Sequence, residues 1–116
     1  MEDPGEMPSR PELTDERRRL AREKAAEARL VRAELLGALR NGDVTVAQVL
    51  ARADAGDPVV RQTRVLRLAR SLPGFGDVAA RELLARLRID ERRRIGGLGR
   101  RQRDALLAAT SDAPGR

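Results

Sequence analysis

Two glycine pairs carry the most specific chemical pattern in this sequence. Each pair flanks one hydrophobic residue, in Leu72-Pro73-Gly74-Phe75-Gly76 and in Gly97-Leu98-Gly99. Such a turn between two helices leaves the first N–H groups of the second helix without partners, and together with the helix dipole they can bind a phosphate oxygen. The alternative is that the glycines only close αα-hairpins. The pattern predicts phosphate contacts at four positions: Gly74, Gly76, Gly97 and Gly99.

The residue types that are missing exclude most catalytic and metal chemistry. The chain has no cysteine and no histidine, so it has no thiol nucleophile, no thiolate or imidazole metal ligand and no histidine base. Phe75 is the one aromatic residue, which excludes a platform for stacking bases. We therefore expect no enzyme activity, no cofactor, no metal and no small-molecule substrate.

The basic residues are concentrated in one block of the chain. The formal net charge is +6, and Lys24 is the one lysine among 24 basic residues. Residues 61–103 hold 13 arginines against four acids, whereas residues 1–12 are net acidic. A clustered basic excess is typical of a polyanion-binding protein. Several of these arginines frame the second glycine pair, and four are candidate phosphate ligands there: Arg93, Arg94, Arg100 and Arg101.

The hydrophobic pattern predicts an all-α protein without a sheet, because no segment alternates apolar and polar residues with a period of two. A long helix rich in Ala, Arg, Glu and Leu is expected from Thr14, its cap, to Arg40, with Leu30 to Leu39 packing on a core. The predicted organisation has four parts: a disordered acidic arm at 1–12, a long N-terminal helix at 13–42, a compact helical domain at 43–110 that holds both glycine turns, and a disordered tail at 111–116.

Shorter helices are expected to follow. Thr45 and Gln48 form a capping box for a helix to about Arg52 or Ala53. Asp57-Pro58 caps another helix that runs to about Arg70. Further helices are predicted at about 78–87, with Val78, Ala79, Leu83, Leu84 and Leu87 as the candidates for its buried side, and at about 100–109, with a short turn from Asp90 to Arg94 between them.

The predicted helix to Arg70 would bring three arginines onto one surface. At 100° per residue, Arg64, Arg67 and Arg70 fall within an arc about 120° wide, opposite the apolar side. These three are therefore candidates for a common contact surface.

Taken together, these features resemble the actinobacterial integration host factor family over roughly residues 13–107. The resemblance is carried by the opening Leu13-Thr14, the Thr45 helix, Ser71 to Gly76, Arg86 to Ile89, Arg93-Arg94-Ile95, Gly97-Leu98-Gly99 and Gln102. It implies a long N-terminal helix followed by a compact helix-two-turns-helix domain that binds and bends duplex DNA with little sequence preference. It also implies that Arg93 and Arg94 lie on the DNA-contact segment and that Arg64 and Arg81 occupy basic positions of the family.

Three residues depart from the family pattern. Gly96 stands where a further arginine is expected, and Asp77 and Ala79 stand where basic residues are common. Asp77 would repel a phosphate unless it serves as a helix cap. The departures favour the second glycine turn as the main contact.

The predicted function is that of a cytoplasmic, nucleoid-associated protein, monomeric in solution, whose partner is double-stranded DNA and not a membrane. One alternative is an RNA- or ribosome-binding helix-two-turns-helix protein, because A-form backbones also accept hairpin amides. Another is a DNA-repair accessory module or lyase, although a lyase needs a desolvated amine and Lys24 lies far from the turns in sequence. A helical adaptor for an acidic protein is a third.

Overall fold

A computed structural model describes residues 6–111, with side chains from residue 14 onwards. Its elements in chain order are α1 (Glu6–Arg40), α2 (Val46–Asp54), α3 (Pro58–Gln62), α4 (Val65–Arg70), α5 (Asp77–Arg86), a 3₁₀ helix (Ile95–Gly97) and α6 (Arg100–Ser111). Residues 6–111 form no strand, only one isolated antiparallel bridge between Arg64 and Arg94. The prediction of an all-α protein without a sheet is confirmed. Within the same range, no helix combines the length and apolar character needed to cross a bilayer.

The first helix begins earlier than its sequence suggested. It starts at Glu6 and not at the predicted cap Thr14, so residues 6–12 are helical where a disordered arm was expected; residues 1–5 lie outside the described range. Proline in a first turn has no backbone hydrogen bond to lose, which makes Pro8 compatible with this start. The predicted stop at Asn41-Gly42 is confirmed, with Gly42 at a φ of 82°.

The chain divides into two compact units, the first ending at Val31 and the second beginning at Arg32. In the first unit, the described side chains are mostly exposed and charged, and Arg19 pairs with Glu16 and Glu23 at helical spacing. Leu30, expected to pack, is 67% exposed. It precedes Leu35 by five residues and therefore points about 140° away from it around the helix.

The second unit holds the hydrophobic core. Leu35 and Leu39 of α1 pack there with residues of every later helix, and Val49, Val60, Val65 and Ala80 are completely buried. Burial of aliphatic side chains supplies most of the free energy that holds such a unit together. The N-terminal cap of α2 is as predicted: the Gln48 N–H donates to Thr45 Oγ1 at 3.1 Å, and Thr45 N–H donates to Gln48 Oε1 at 2.9 Å.

The N-terminus of α3 is capped by Asp57, again as the sequence indicates. Its Oδ1 accepts the N–H of Val59 at 3.0 Å, and Pro58 occupies the first helical position. A hydrogen bond from Arg52 to its other oxygen, at 2.8 Å, is the main reason that the pKa of Asp57 lies below its ordinary value. The cap and the ion pair fix α3 against the end of α2.

The predicted single helix from Pro58 to Arg70 is wrong, because the chain is extended at Thr63 and Arg64 between α3 and α4. The Thr63 hydroxyl donates to the Val59 carbonyl at 2.7 Å. The backbone beyond it pairs with a distant segment: Val65 N–H donates to Arg93 O at 2.8 Å, and Ile95 N–H to Thr63 O at 2.9 Å. Of the three arginines expected on one surface, Arg67 and Arg70 belong to α4 and line one pocket, whereas Arg64 precedes the helix and its side chain bonds to the Arg92 carbonyl.

The predicted buried side of α5 and the predicted turn from Asp90 to Arg94 need smaller corrections. Val78 is 69% exposed and Ala80 is buried, because Ala80 precedes Leu83 and Leu84 at helical spacing whereas Val78 points to the far side. Asp90 accepts the Arg92 N–H at 2.8 Å in a turn, and the helical turn that follows is the 3₁₀ helix, not the segment to Arg94. α6 extends to Ser111; residues 112–116 of the predicted tail lie outside the described range.

Candidate nucleic-acid interface

The first glycine turn joins α4 to α5 and leaves its amides uncovered. Gly74 has a φ of 80°, and Phe75, half-buried against the core, donates its N–H to the Leu72 carbonyl at 2.9 Å. Gly76 is the N-terminal cap residue of α5 and supplies no side-chain hydrogen bond. Within residues 6–111, the N–H groups of Gly74 and Gly76 have no acceptor. The turn therefore offers two backbone donors beside the first turn of α5.

The two glycines of this turn should respond differently to alanine. Gly74→Ala is expected to lower the free energy of unfolding by about 1 kcal/mol, because an L-residue is strained at this positive φ. Gly76 has an ordinary negative φ and open space around a β-carbon, so Gly76→Ala should leave stability within about 0.5 kcal/mol of the parent. Urea unfolding monitored by circular dichroism measures both.

The same two variants also distinguish an effect on the stability of the turn from an effect on binding. If a nucleic-acid backbone passes close to the turn, Gly76→Ala should weaken binding several-fold without a loss of stability. Equal stability of the two variants would contradict the strain at Gly74, and undiminished binding by Gly76→Ala would contradict the close approach.

The second glycine turn is less open than the sequence predicts. The Gly97 N–H donates to the Arg94 carbonyl within the 3₁₀ helix, and the Gly99 N–H donates to Gln102 Oε1, each at 2.9 Å. These two amides are therefore already paired, so a phosphate contact predicted at Gly97 or Gly99 does not come from their own N–H groups. The donors left at this turn are the first-turn amides of α6, which have no acceptor within the helix.

A backbone bridge positions the arginines of the second turn. The extended pair Thr63-Arg64 holds the segment Arg93 to Ile95 through the two hydrogen bonds described above. Arg64 Nη1 donates to the Arg92 carbonyl at 2.8 Å, and Arg94 Nη1 donates to the Gln62 carbonyl at 2.9 Å. The structure thus brings Arg64, far away in sequence, next to Arg93 and Arg94.

Three arginines of the predicted site lie at the second turn or directly after it in the chain, namely Arg93, Arg100 and Arg101. Arg93 Nη1 donates to the Gly97 carbonyl at 2.9 Å, so its side chain lies along the second turn. Arg100 and Arg101 open α6 directly after Gly99 and are exposed. We call these five residues the second-turn cluster: Arg64, Arg93, Arg94, Arg100 and Arg101.

Gly96 has a structural explanation that sequence reasoning missed. A β-carbon built on it would lie 2.9 Å from the β-carbon of Arg61, whose guanidinium group reaches the carbonyls of Ala53 and Gly96 at 3.5 Å. The arginine expected here would have to displace this side chain. No local signal could reveal the contact, because 35 residues separate the two positions.

Arg81 differs from the second-turn cluster in being neutralised. Its Nε donates to Asp77 Oδ2 at 2.8 Å, and its Nη1 also bonds to Glu91. Asp77 is the first residue of α5, not its cap, and it accepts a second hydrogen bond from Arg70 at 3.1 Å. The bonds from Arg81 and then from Arg70 lower the pKa of Asp77. The sequence predicted that the charge of Arg81 is available to bind a phosphate, but these two carboxylates already neutralise it.

The fold and the two turns define a known class of domain. Residues 39–109 match the family model described as the S13-like H2TH domain, where H2TH denotes helix-two-turns-helix. Over 97 residues the chain is 47% identical to the integration host factors of Mycobacterium tuberculosis and Mycolicibacterium smegmatis, covering 84% of this chain and 91% of each relative. It is 41% identical over 92 residues to that of Streptomyces coelicolor, covering 79% of this chain and 85% of the relative.

A solved structure agrees with these relatives. The structure of sIHF bound to an 8-base-pair palindromic DNA is similar with a TM-score of 0.73 and 36% identity, covering 76% of this chain and 98% of that chain. The chain belongs to the integration host factor family of actinobacterial type, which confirms the resemblance seen in its sequence.

Proposed function

We propose that this chain is a nucleoid-associated protein that binds double-stranded DNA through backbone phosphates, with little preference for sequence, and bends and organises it. In this proposal the protein acts in the cytoplasm, as a monomer when free, and has no enzymatic role. The second-turn cluster makes the main contact. The N–H groups of Gly74 and Gly76 at the first turn, and the first-turn amides of α6 that follow Gly97 and Gly99, add to it, while Arg81 holds Asp77 in place.

The observation that carries the proposal is that the second-turn cluster is cationic and unpaired. Its five arginines are exposed, and within residues 14–111 none forms an ion pair with a carboxylate. In contrast, Arg52 pairs with Asp57 and Arg103 with Asp54. Unpaired guanidinium groups beside helix N-terminal amides suit phosphate, whereas paired ones are already neutralised.

The way these arginines are held also favours phosphate over base recognition. Arg64, Arg93 and Arg94 each donate one N–H to a backbone carbonyl, which orients the side chain without cancelling its charge. A guanidinium group has five N–H donors, so several remain for a ligand. Contacts of this type position a protein on a duplex but read no sequence. The DNA in the related sIHF complex supports a duplex as the ligand.

Duplex RNA is the second candidate ligand. The match to the S13-like H2TH domain favours it, since an A-form backbone presents phosphates to the same amides and guanidinium groups. A lyase is disfavoured because Lys24, the sole lysine, is exposed, whereas a Schiff-base nucleophile works from a desolvated pocket.

Competition between duplexes tests the proposal. A labelled random DNA duplex should be displaced equally well by unlabelled DNA duplexes of any sequence and at least about tenfold less well by RNA duplexes of equal length. Circularisation of short DNA fragments measures bending in the same samples. Stronger displacement by RNA would replace DNA with RNA as the ligand, and no displacement by either would refute binding to both.

A further inference from the structure

A basic notch lies beside the first glycine turn and includes Gly76 of that turn. Its volume is about 510 Å³, and it opens to solvent. Arg40, at the end of α1, lines one side, and Arg67 and Arg70 of α4 line another. The backbone from Phe75 to Asp77 forms the rim at the turn. All of these residues belong to the second unit.

The three arginines give the notch a net positive charge. Asp77 is the one carboxylate among its described lining residues, and it is shared between Arg70 and Arg81. Arg40 donates to the backbone carbonyl of Arg70, a contact that orients its guanidinium group but leaves its charge uncompensated. The Arg67 side chain is exposed and forms no hydrogen bond or ion pair within residues 14–111.

The notch is lined by donors of the kinds that bind phosphate groups. Guanidinium groups come from two helices, and the Gly76 N–H, which has no acceptor within residues 6–111, lies on the rim. Planar guanidinium forks and a backbone amide that approach from different sides suit a tetrahedral oxyanion. A phosphodiester carries one negative charge, which the two arginines without a carboxylate more than balance.

We propose that this notch binds a backbone phosphate of duplex DNA through Arg40 and Arg67, with Arg70 held in place by Asp77. The inference rests on the proposed function and extends it, because it adds the C-terminal end of α1 to the DNA-binding surface. The phosphate contact at the first turn is then made chiefly by arginines of α1 and α4, and the neutralised Arg81 serves to hold Asp77.

The test measures how the affinity for a random DNA duplex depends on salt in Arg40→Ala/Arg67→Ala, in Arg67→Ala and in a control. Removing one phosphate contact should lower the magnitude of the log–log salt slope by about 0.9 and weaken binding about tenfold in the double variant. Arg67→Ala alone should show part of this loss, and it removes no bond within the described structure, so it serves if the double variant fails to fold.

The control is Arg86→Ala, which removes the same charge at the other end of α5, about 14 Å from the first turn at 1.5 Å per residue. It should keep the slope of the parent. A slope in the Arg67 variants equal to that of the parent, or an equal loss in Arg86→Ala, would overturn the notch assignment while leaving DNA binding itself intact. Failure of the parent to bind DNA would overturn the proposed function and the notch together.

A second arm separates a DNA phosphate from a small free anion. Inorganic phosphate is titrated into the parent protein, and the amide resonances of Gly76 and Asp77 are followed by NMR. The proposal predicts weak, millimolar binding that is lost in Arg40→Ala/Arg67→Ala. Saturation at micromolar phosphate, with duplex binding unaffected in the variants, would make the notch a small-anion site and overturn the proposal.

Discussion

Replacing Arg93 and Arg94 with glutamate is expected to lower the affinity for duplex DNA by at least about 100-fold. Both side chains are exposed; that of Arg93 lies along the second turn, that of Arg94 bonds to the Gln62 carbonyl, and in the proposed complex each faces phosphates. Each substitution removes an attraction and adds a repulsion, and like charges brought together at an interface cost several kcal/mol. Fluorescence anisotropy with a random duplex at 0.1 M salt measures the change.

The fold should survive this double substitution. The two backbone hydrogen bonds in this region, from Val65 to Arg93 and from Ile95 to Thr63, do not depend on either arginine side chain. Each substitution removes only one side-chain hydrogen bond to a carbonyl. Circular dichroism should therefore show unchanged helicity. Arg86→Glu/Arg88→Glu makes the same change in net charge elsewhere and is expected to weaken binding far less. Retained affinity in a folded Arg93→Glu/Arg94→Glu protein would contradict the site.

The second large effect is expected on stability. Leu50 of α2 is 1% exposed in the core of the second unit, and Leu50→Ala should lower the free energy of unfolding by about 3 kcal/mol. For a domain of this size the midpoint of thermal unfolding should fall by about 15 °C. Calorimetry measures both values.

The first unit supplies a matched control for that substitution. Leu30 is 67% exposed, so Leu30→Ala makes the same chemical change without opening a cavity and should alter stability by less than about 0.5 kcal/mol. If the two variants were equally stable, the packing described for the core would be wrong. DNA binding by Leu50→Ala should persist at low temperature, because the substitution lies away from the arginines.

Features that depend on a few adjacent residues were predictable from the sequence. The capping box of Thr45 and Gln48 and the cap at Asp57 depend on side chains that bond to amides two or three positions away. The glycine stop at Gly42 and the first turn at Gly74 depend on local backbone conformation. The class of fold followed from these signals together with helical periodicity.

Features that depend on distant partners were missed. The break between α3 and α4 is fixed by pairing with Arg93 and Ile95, about 30 positions along the chain, which no helix propensity encodes. The charge of Arg81 is neutralised partly by an ion pair with Glu91, which follows α5 in the chain. The notch requires Arg40 of α1 to meet α4, and neither segment signals the other. Local patterns predicted where cationic residues cluster but not which of them remain unpaired.

The salt dependence of DNA binding by the unmodified protein tests the central claim most directly. If backbone phosphates provide most of the binding free energy and about five or six are neutralised, the logarithm of the association constant should fall with the logarithm of salt concentration with a slope of about −5. Duplexes of different sequence should give the same slope. A slope near zero would show that arginine–phosphate contacts do not hold this protein on DNA.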